Sequence, residues 1–138
     1  MKILYLAPGN SIHSKKWIEK INYLYPNNNY FWYSFEKFQY EINKEISIFS
    51  ISCKTKFSLL RIISSVFQIG KLQLKNNFDL IHIHSVGTYG TFAIIPVLFK
   101  IPFIVTPWGS DIIFGSRKLL NSLIMKFIFS KASLITCD

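Results

Sequence analysis

A doubly wound α/β fold around a parallel sheet is what this sequence predicts, on three observations. Short continuous apolar runs alternate with longer segments of helical period, the pattern of strand–helix–strand units. The runs are apolar on both faces, as strands covered by helices on each side must be. Each run also ends in polar, Gly- or Pro-containing sequence, most clearly between Phe78 and Asp111. There Asp79-Leu80-Ile81-His82-Ile83-His84 leads through a Gly-containing crossover to a second run, Ile101 to Val105, and then to Thr106-Pro107-Trp108-Gly109-Ser110-Asp111. In such sheets ligands bind outside the carboxyl ends of the strands, so function is expected in those loops.

The elements follow in order. Ile3 to Ala7 reads as the first strand and Pro8-Gly9-Asn10-Ser11 as the loop leaving it. Ser11 or Ser14 can cap a helix running to about Leu24, with Trp17, Ile18, Ile21 and Leu24 at helical spacing. Pro26 and Asn27-Asn28-Asn29 end it. Tyr30 to Phe35 is aromatic and strand-like, Glu36 to Glu45 takes no assignment, and Ile46 to Ile51 alternates like a third strand. Phe57 to Leu74 predicts a helix whose Leu59, Leu60, Ile63, Val66, Phe67 and the residues from Ile69 to Leu74 lie on or near one stripe, closed by Asn76-Asn77. A strand at Leu80 to His84, a helix from Thr88 to Phe99, a strand at Phe103 to Thr106, a helix from about Arg117 to Phe129 and a last strand, Leu134 to Cys137, complete the chain.

The 138 residues, half of them hydrophobic, suffice for the core of a single domain, 1–138. Sixteen basic residues against seven acidic ones give a formal charge of +9, which favours partners bearing phosphate. No nucleic-acid motif accompanies that charge, so nucleic acid is not an expected partner. After Glu45 the only carboxylates are Asp79, Asp111 and the terminal Asp138, so carboxylate chemistry there has few candidates. Cys53 and Cys137 lack ligand spacing and predict neither a disulfide framework nor a metal site. The first apolar run is too short for an export signal, and the expected location is the cytoplasm, with peripheral contact at the inner membrane face as a further expectation. Phe92 to Trp108 is nearly continuous in its apolar character but too short for a span, and Pro96, Pro102 and Pro107 interrupt it. The chain stops directly after an apolar strand, which suggests truncation or a remainder carried on a separate chain.

The strand-end rule selects three groups of residues. Gly9, with Asn10, Ser11 and His13 after it, could let a diphosphate approach the backbone at a helix N-terminus, or could simply form a tight turn; a full G-x-G-x-x-G fingerprint is missing. His82 and His84 face the same side of their strand and could bind metal with Asp111 as a third ligand. Alternatively His82 is a hydrogen-bonded core residue, while His84 and Ser85 at the strand end contact a sugar or phosphate. In the third group Asp111, after Gly109 and Ser110, could accept sugar hydroxyls or stabilise developing positive charge, or cap a helix. Trp108 could stack on a sugar or pack against the domain. The helix from Arg117 to Lys131 is basic at its ends and apolar between, fitting either an anionic membrane surface or the core.

Lys2 to His13, Phe78 to Ser85, Pro102 to Asp111 and Lys131 to Thr136, in that order, resemble the N-terminal half of GT-B glycosyltransferases, particularly glycosyltransferase family 4. The resemblance implies a Rossmann-like half of a two-domain architecture. It also implies transfer of a sugar from a nucleotide-sugar donor, with retention of configuration, no essential metal and no cofactor beyond that co-substrate. This half would hold the sugar or lipid-linked acceptor, in surface polysaccharide or glycolipid synthesis. By the same resemblance Gly9 lies near the donor phosphates, while His84 and the Gly109 to Asp111 loop line the reaction centre, with Asp111 and His84 as catalytic candidates. Trp108 stands where many relatives have histidine. The donor-binding C-terminal domain has no counterpart in the sequence, so the 138-residue chain is not expected to transfer sugar alone. The alternatives are a non-catalytic, membrane-recruiting subunit of a split glycosyltransferase, and a metal-dependent hydrolase using the H-x-H pair.

Overall fold

The computed structural model describes residues 1–50, 58–115 and 119–136. Its strands are β1 (Lys2–Leu6), β2 (Asn29–Ser34), β3 (Ile46–Ser50), β4 (Leu80–His84), β5 (Phe103–Thr106) and β6 (Leu134–Ile135). Its helices are α1 (Ile12–Leu24), α2 (Ser58–Asn76), α3 (Ile94–Phe99), α4 (Gly109–Gly115) and α5 (Leu119–Lys131), with a 3-10 turn at Tyr89–Ala93. The six strands form one sheet in the order β3-β2-β1-β4-β5-β6, every neighbouring pair parallel. This is the predicted doubly wound, Rossmann-like sheet. Strand order reverses between β1 and β4, and a crevice at their carboxyl ends is the topological consequence.

The sheet buries two unequal faces. Leu4, Leu6, Ile81, Ile83, Phe103 and Val105 pack with Ile69 of α2, Tyr89 and Phe92 of the 3-10 turn, Ile95 of α3, and Met125 and Ile128 of α5. On the opposite face Ile3, Tyr5, Ala7, Tyr30, Trp32 and Ile46 pack under α1 through Trp17, Ile18 and Ile21. Ser11 starts α1 by accepting the N–H of Ser14 at 3.3 Å, the N-cap bond that its side chain predicts. Asn77 ends α2 in the left-handed region at φ 51, and Gln73 then accepts the N–H of Phe78 at 3.1 Å. Lys100 closes α3 the same way, at φ 54, ahead of Pro102.

Three expectations are corrected. The single stripe on the helix ending at Leu74 splits: Ile62, Val66, Ile69 and Leu72 face the core, whereas Leu59, Leu60, Ile63, Phe67 and Leu74 are exposed. The helix expected from Thr88 to Phe99 is a 3-10 turn followed by short α3. Its tight first part lets Gly90 sit where a Cβ would lie 2.9 Å from Ile128 Cδ1. Gly109 to Asp111 is the first turn of α4 rather than a loop, because Asp111 N–H bonds to Trp108 C=O at 2.9 Å. Helix α5 buries Met125 and Ile128 against the sheet, the core-facing one of the two readings that its sequence allowed. Residues 36–45 form no strand or helix, β6 is only two residues long, and Cys53, Arg117 and Cys137 lie outside the described residues.

Candidate functional site

The switch-point crevice is built from aromatic and imidazole rings. Parallel register places Tyr5 of β1 beside His82 of β4, and alternation puts Tyr5, His82 and His84 on the face covered by α1. The His82 and His84 rings lie 4.4 Å apart, centroid to centroid; Tyr5 is 5.3 and 5.7 Å from them, and Trp17 of α1 meets both edge-on at 6.4 and 6.1 Å. His82 Nε2 is 2.7 Å from Thr106 Oγ1, which in turn lies 2.6 Å from Thr136 Oγ1. His82 is therefore the hydrogen-bonded core residue that one reading of the strand gave.

Electrostatics fix the protonation state of this box. Burial pushes the His82 pKa down to about 4. Burial, and secondarily the neighbouring His82, hold His84 well below the ordinary histidine range. At neutral pH both imidazoles are uncharged, each with one donor and one acceptor nitrogen. The Nε2 of His84 and the Nε1 of Trp17 are buried and have no hydrogen-bond partner. Buried groups of this kind are normally satisfied, and two of them lie beside this one crevice.

Those two side chains line a pocket of about 240 Å³ with His13, Lys16, Lys20, Thr106 and Trp108. α1 contributes at positions 13, 16, 17 and 20, the i, i+3, i+4, i+7 spacing of one helix face. Of the residues singled out in the sequence, His13, His84 and Trp108 thus converge here. Trp17 reads in the sequence as one more apolar helix residue, and Lys16 and Lys20 as net charge; their common spacing with His13 was the available signal. Among the described residues no carboxylate lines the pocket, and Lys16 and Lys20 make its polar edge cationic.

Asp111 lies elsewhere. It borders a second pocket of about 330 Å³ with Val86, Gly87, Thr88, Thr91 and Asn121. Its Oδ2 accepts the N–H of Val86 at 3.0 Å and that of Trp108 at 3.2 Å. The second bond is the carboxylate half of a capping box, so Asp111 caps α4 while it also lines this pocket. Ser85 connects the two pockets along the chain; it is buried at φ 70, its N–H bonded to Thr106 C=O at 3.0 Å. Gly109 and Ser110 are exposed on the first turn of α4. Among the described residues, no group of three His, Cys, Asp or Glu side chains could hold a metal ion, and His82, His84 and Asp111 do not form one.

The first loop is organised toward β2. Gly9 N–H donates to Ser34 Oγ at 2.7 Å, and a Cβ at Gly9 would lie 2.8 Å from that oxygen and 2.9 Å from the Phe38 ring. Glycine is thus required there by close packing. Ser34 in turn meets Tyr89 Oη at 3.2 Å, and Tyr89 donates to the Glu36 carboxylate in a short hydrogen bond. Burial and that bond raise the Tyr89 pKa. Asn10 is exposed and Ser11 is spent on the α1 cap.

Comparison with solved structures gives the same architecture. MurG of Acinetobacter baumannii superposes with a TM-score of 0.64 at 10% identity, covering 99% of this chain and 40% of that one. The UDP-GlcNAc 2-epimerase of Methanocaldococcus jannaschii superposes with a TM-score of 0.66 at 13% identity, covering 99% of this chain and 39% of that one. Both are GT-B proteins, and at such identities the likeness establishes the fold. The chain spans about two-fifths of the length of either. A search of curated proteins finds no match. The profile of the family described as glycosyl transferase 4-like matches residues 2–138, and the chain belongs to that family.

Proposed function

We propose that this chain is the acceptor-holding domain of a retaining glycosyltransferase that uses a nucleotide-sugar donor. In this reading a donor-binding domain, on the same or a separate chain, must close over the ends of β1, β4 and β5 before transfer occurs. The observation that carries it is the switch-point pocket, where His84 Nε2 and Trp17 Nε1 are buried without partners beside Lys16 and Lys20. Indole N–H donates to a sugar oxygen, Trp108 offers a ring face to a pyranose, and neutral His84 can donate or accept. With a pKa so far below neutrality His84 is a weak base, so its role is to orient an acceptor hydroxyl by hydrogen bonding. The two lysines suit an acceptor bearing phosphate or carboxylate, as lipid-linked acceptors of surface polysaccharide or glycolipid synthesis do.

Trp17 and Trp108 make the test direct, because both line the pocket and report through fluorescence. Titration with phosphorylated sugars and glycolipid head groups should quench that fluorescence saturably, and His84→Ala should abolish the quenching. Radiolabelled nucleotide sugars mixed with the 138-residue chain and acceptor should give no product. Turnover by the chain alone would overturn the need for a second domain. Failure of every acceptor to quench would overturn the acceptor assignment.

A further inference from the structure

Helix α2 is apolar on both of its sides. Opposite its core face, Leu60, Ile63, Phe67 and Leu74 recur at i, i+3, i+7 and i+14, with exposures of 52, 45, 67 and 69%. Helix α3 packs on α2 at Gly70, where a Cβ would lie 4.0 Å from Ile95 Cδ1, and adds Ile94 and Leu98 at 46 and 67% exposed. An apolar ridge shared by two neighbouring helices marks an interaction surface.

Charge identifies the partner. Lys71 and Lys75 flank the ridge and Lys100 closes α3, none with a carboxylate partner among the described residues. Between Ser58 and Lys100 the single acidic residue is Asp79, which lies beyond α2 and accepts the Lys2 N–H at 2.7 Å. Lys71 and Lys75 also line a groove of about 400 Å³ between α2 and edge strand β3, with Gln68 and Ser50. Exposed apolar side chains, a lysine border and no acids are the signature of a helix lying in a membrane interface. A second copy of the chain fits poorly, because a two-fold contact through the ridge would pair two faces that each carry lysines and, among the described residues, no acid to meet them.

We propose that the α2–α3 face docks onto a bilayer containing anionic lipids, with Phe67, Leu74 and Leu98 entering the acyl boundary and Lys71, Lys75 and Lys100 meeting lipid phosphates. This places membrane contact on α2 and α3 rather than on α5, whose sequence fitted either a membrane surface or the core. It stands independently of the transferase reading.

Co-sedimentation of the 138-residue chain with vesicles tests it. The chain should pellet with equal parts phosphatidylcholine and phosphatidylglycerol but not with phosphatidylcholine alone. Lys71→Glu with Lys75→Glu should weaken partitioning on the order of thirty-fold or more. Phe67→Ser with Leu74→Ser should abolish it while leaving the thermal transition in place, since both side chains face solvent. Three results would overturn the proposal. One is absence of binding to the anionic vesicles; another is equal binding by both variants. The third is concentration-dependent self-association, seen by light scattering and lost in the Phe67→Ser/Leu74→Ser chain, which would assign the ridge to a second copy.

Discussion

The carboxylate of Asp111 accepts the backbone N–H of Val86 at 3.0 Å, joining the first turn of α4 to the loop that leaves β4. The same oxygen accepts the N–H of Trp108 at 3.2 Å, and Trp108 returns the contact by accepting the Asp111 N–H at 2.9 Å. Asp111 therefore sits in one pocket and sets the backbone of a residue that lines the other.

Asp111→Ala should remove both acceptor bonds and lower stability by about 2 kcal/mol, the scale for hydrogen bonds to a charged group. Asp111→Asn keeps one acceptor oxygen and should recover part of the loss. Acceptor affinity, read from tryptophan quenching, should follow the same order because Trp108 is loosened in step. Full stability in the Ala variant, measured by urea denaturation, would contradict this strut role.

Gly9→Ala should destabilise the protein by about 1–3 kcal/mol through overpacking, because the added methyl meets Ser34 Oγ at 2.8 Å and the Phe38 ring at 2.9 Å. A thermal melt decides it. Were Gly9 placed mainly to admit a ligand, the melt would be unchanged and only ligand binding would fall.

The strands were legible because each is a short apolar run with a polar end, and a parallel sheet demands that pattern. α2 shows the limit of such reading. With apolar residues at positions 59, 60, 62, 63, 66, 67 and 69, periodicity cannot tell which stripe is core, and only the burial of Ile69 in one cluster with Ile95 of α3 decides. His84 and Trp108 were recoverable from strand-end position alone. Lys16, Trp17 and Lys20 required knowing which face of α1 overhangs β4. The Gly9, Ser34, Tyr89 and Glu36 cluster joins distant segments with no local signature, so sequence pattern could not assemble it.

Stability should decline on mild acidification. His82 has a folded pKa of about 4 against about 6.5 unfolded, so between those values the unfolded chain binds the extra proton. Its contribution is intact above pH 6.5 and is lost progressively as pH falls toward 4, by about 3 kcal/mol in all. His84, also depressed, acts in the same direction. Urea midpoints at pH 7.5, 6.5 and 5.5 should fall in that order, and His82→Gln should flatten the slope. A midpoint independent of pH across this window would show that the imidazoles are not buried as neutral groups.

His84 offers the sharpest separation of structure from function. Its Nε2 is buried without a partner, among the rings of Tyr5, Trp17 and His82. An unsatisfied buried polar atom costs roughly 1–3 kcal/mol, and a phenyl ring fits an aromatic box without that cost. His84→Phe should therefore leave stability unchanged or raise it by about 1 kcal/mol, while acceptor-dependent quenching of tryptophan fluorescence disappears. A purely structural histidine gives the opposite pair of results, a lower denaturation midpoint with binding retained. Measuring both quantities on the one variant decides whether the strand-end imidazole is held unpaired for a ligand.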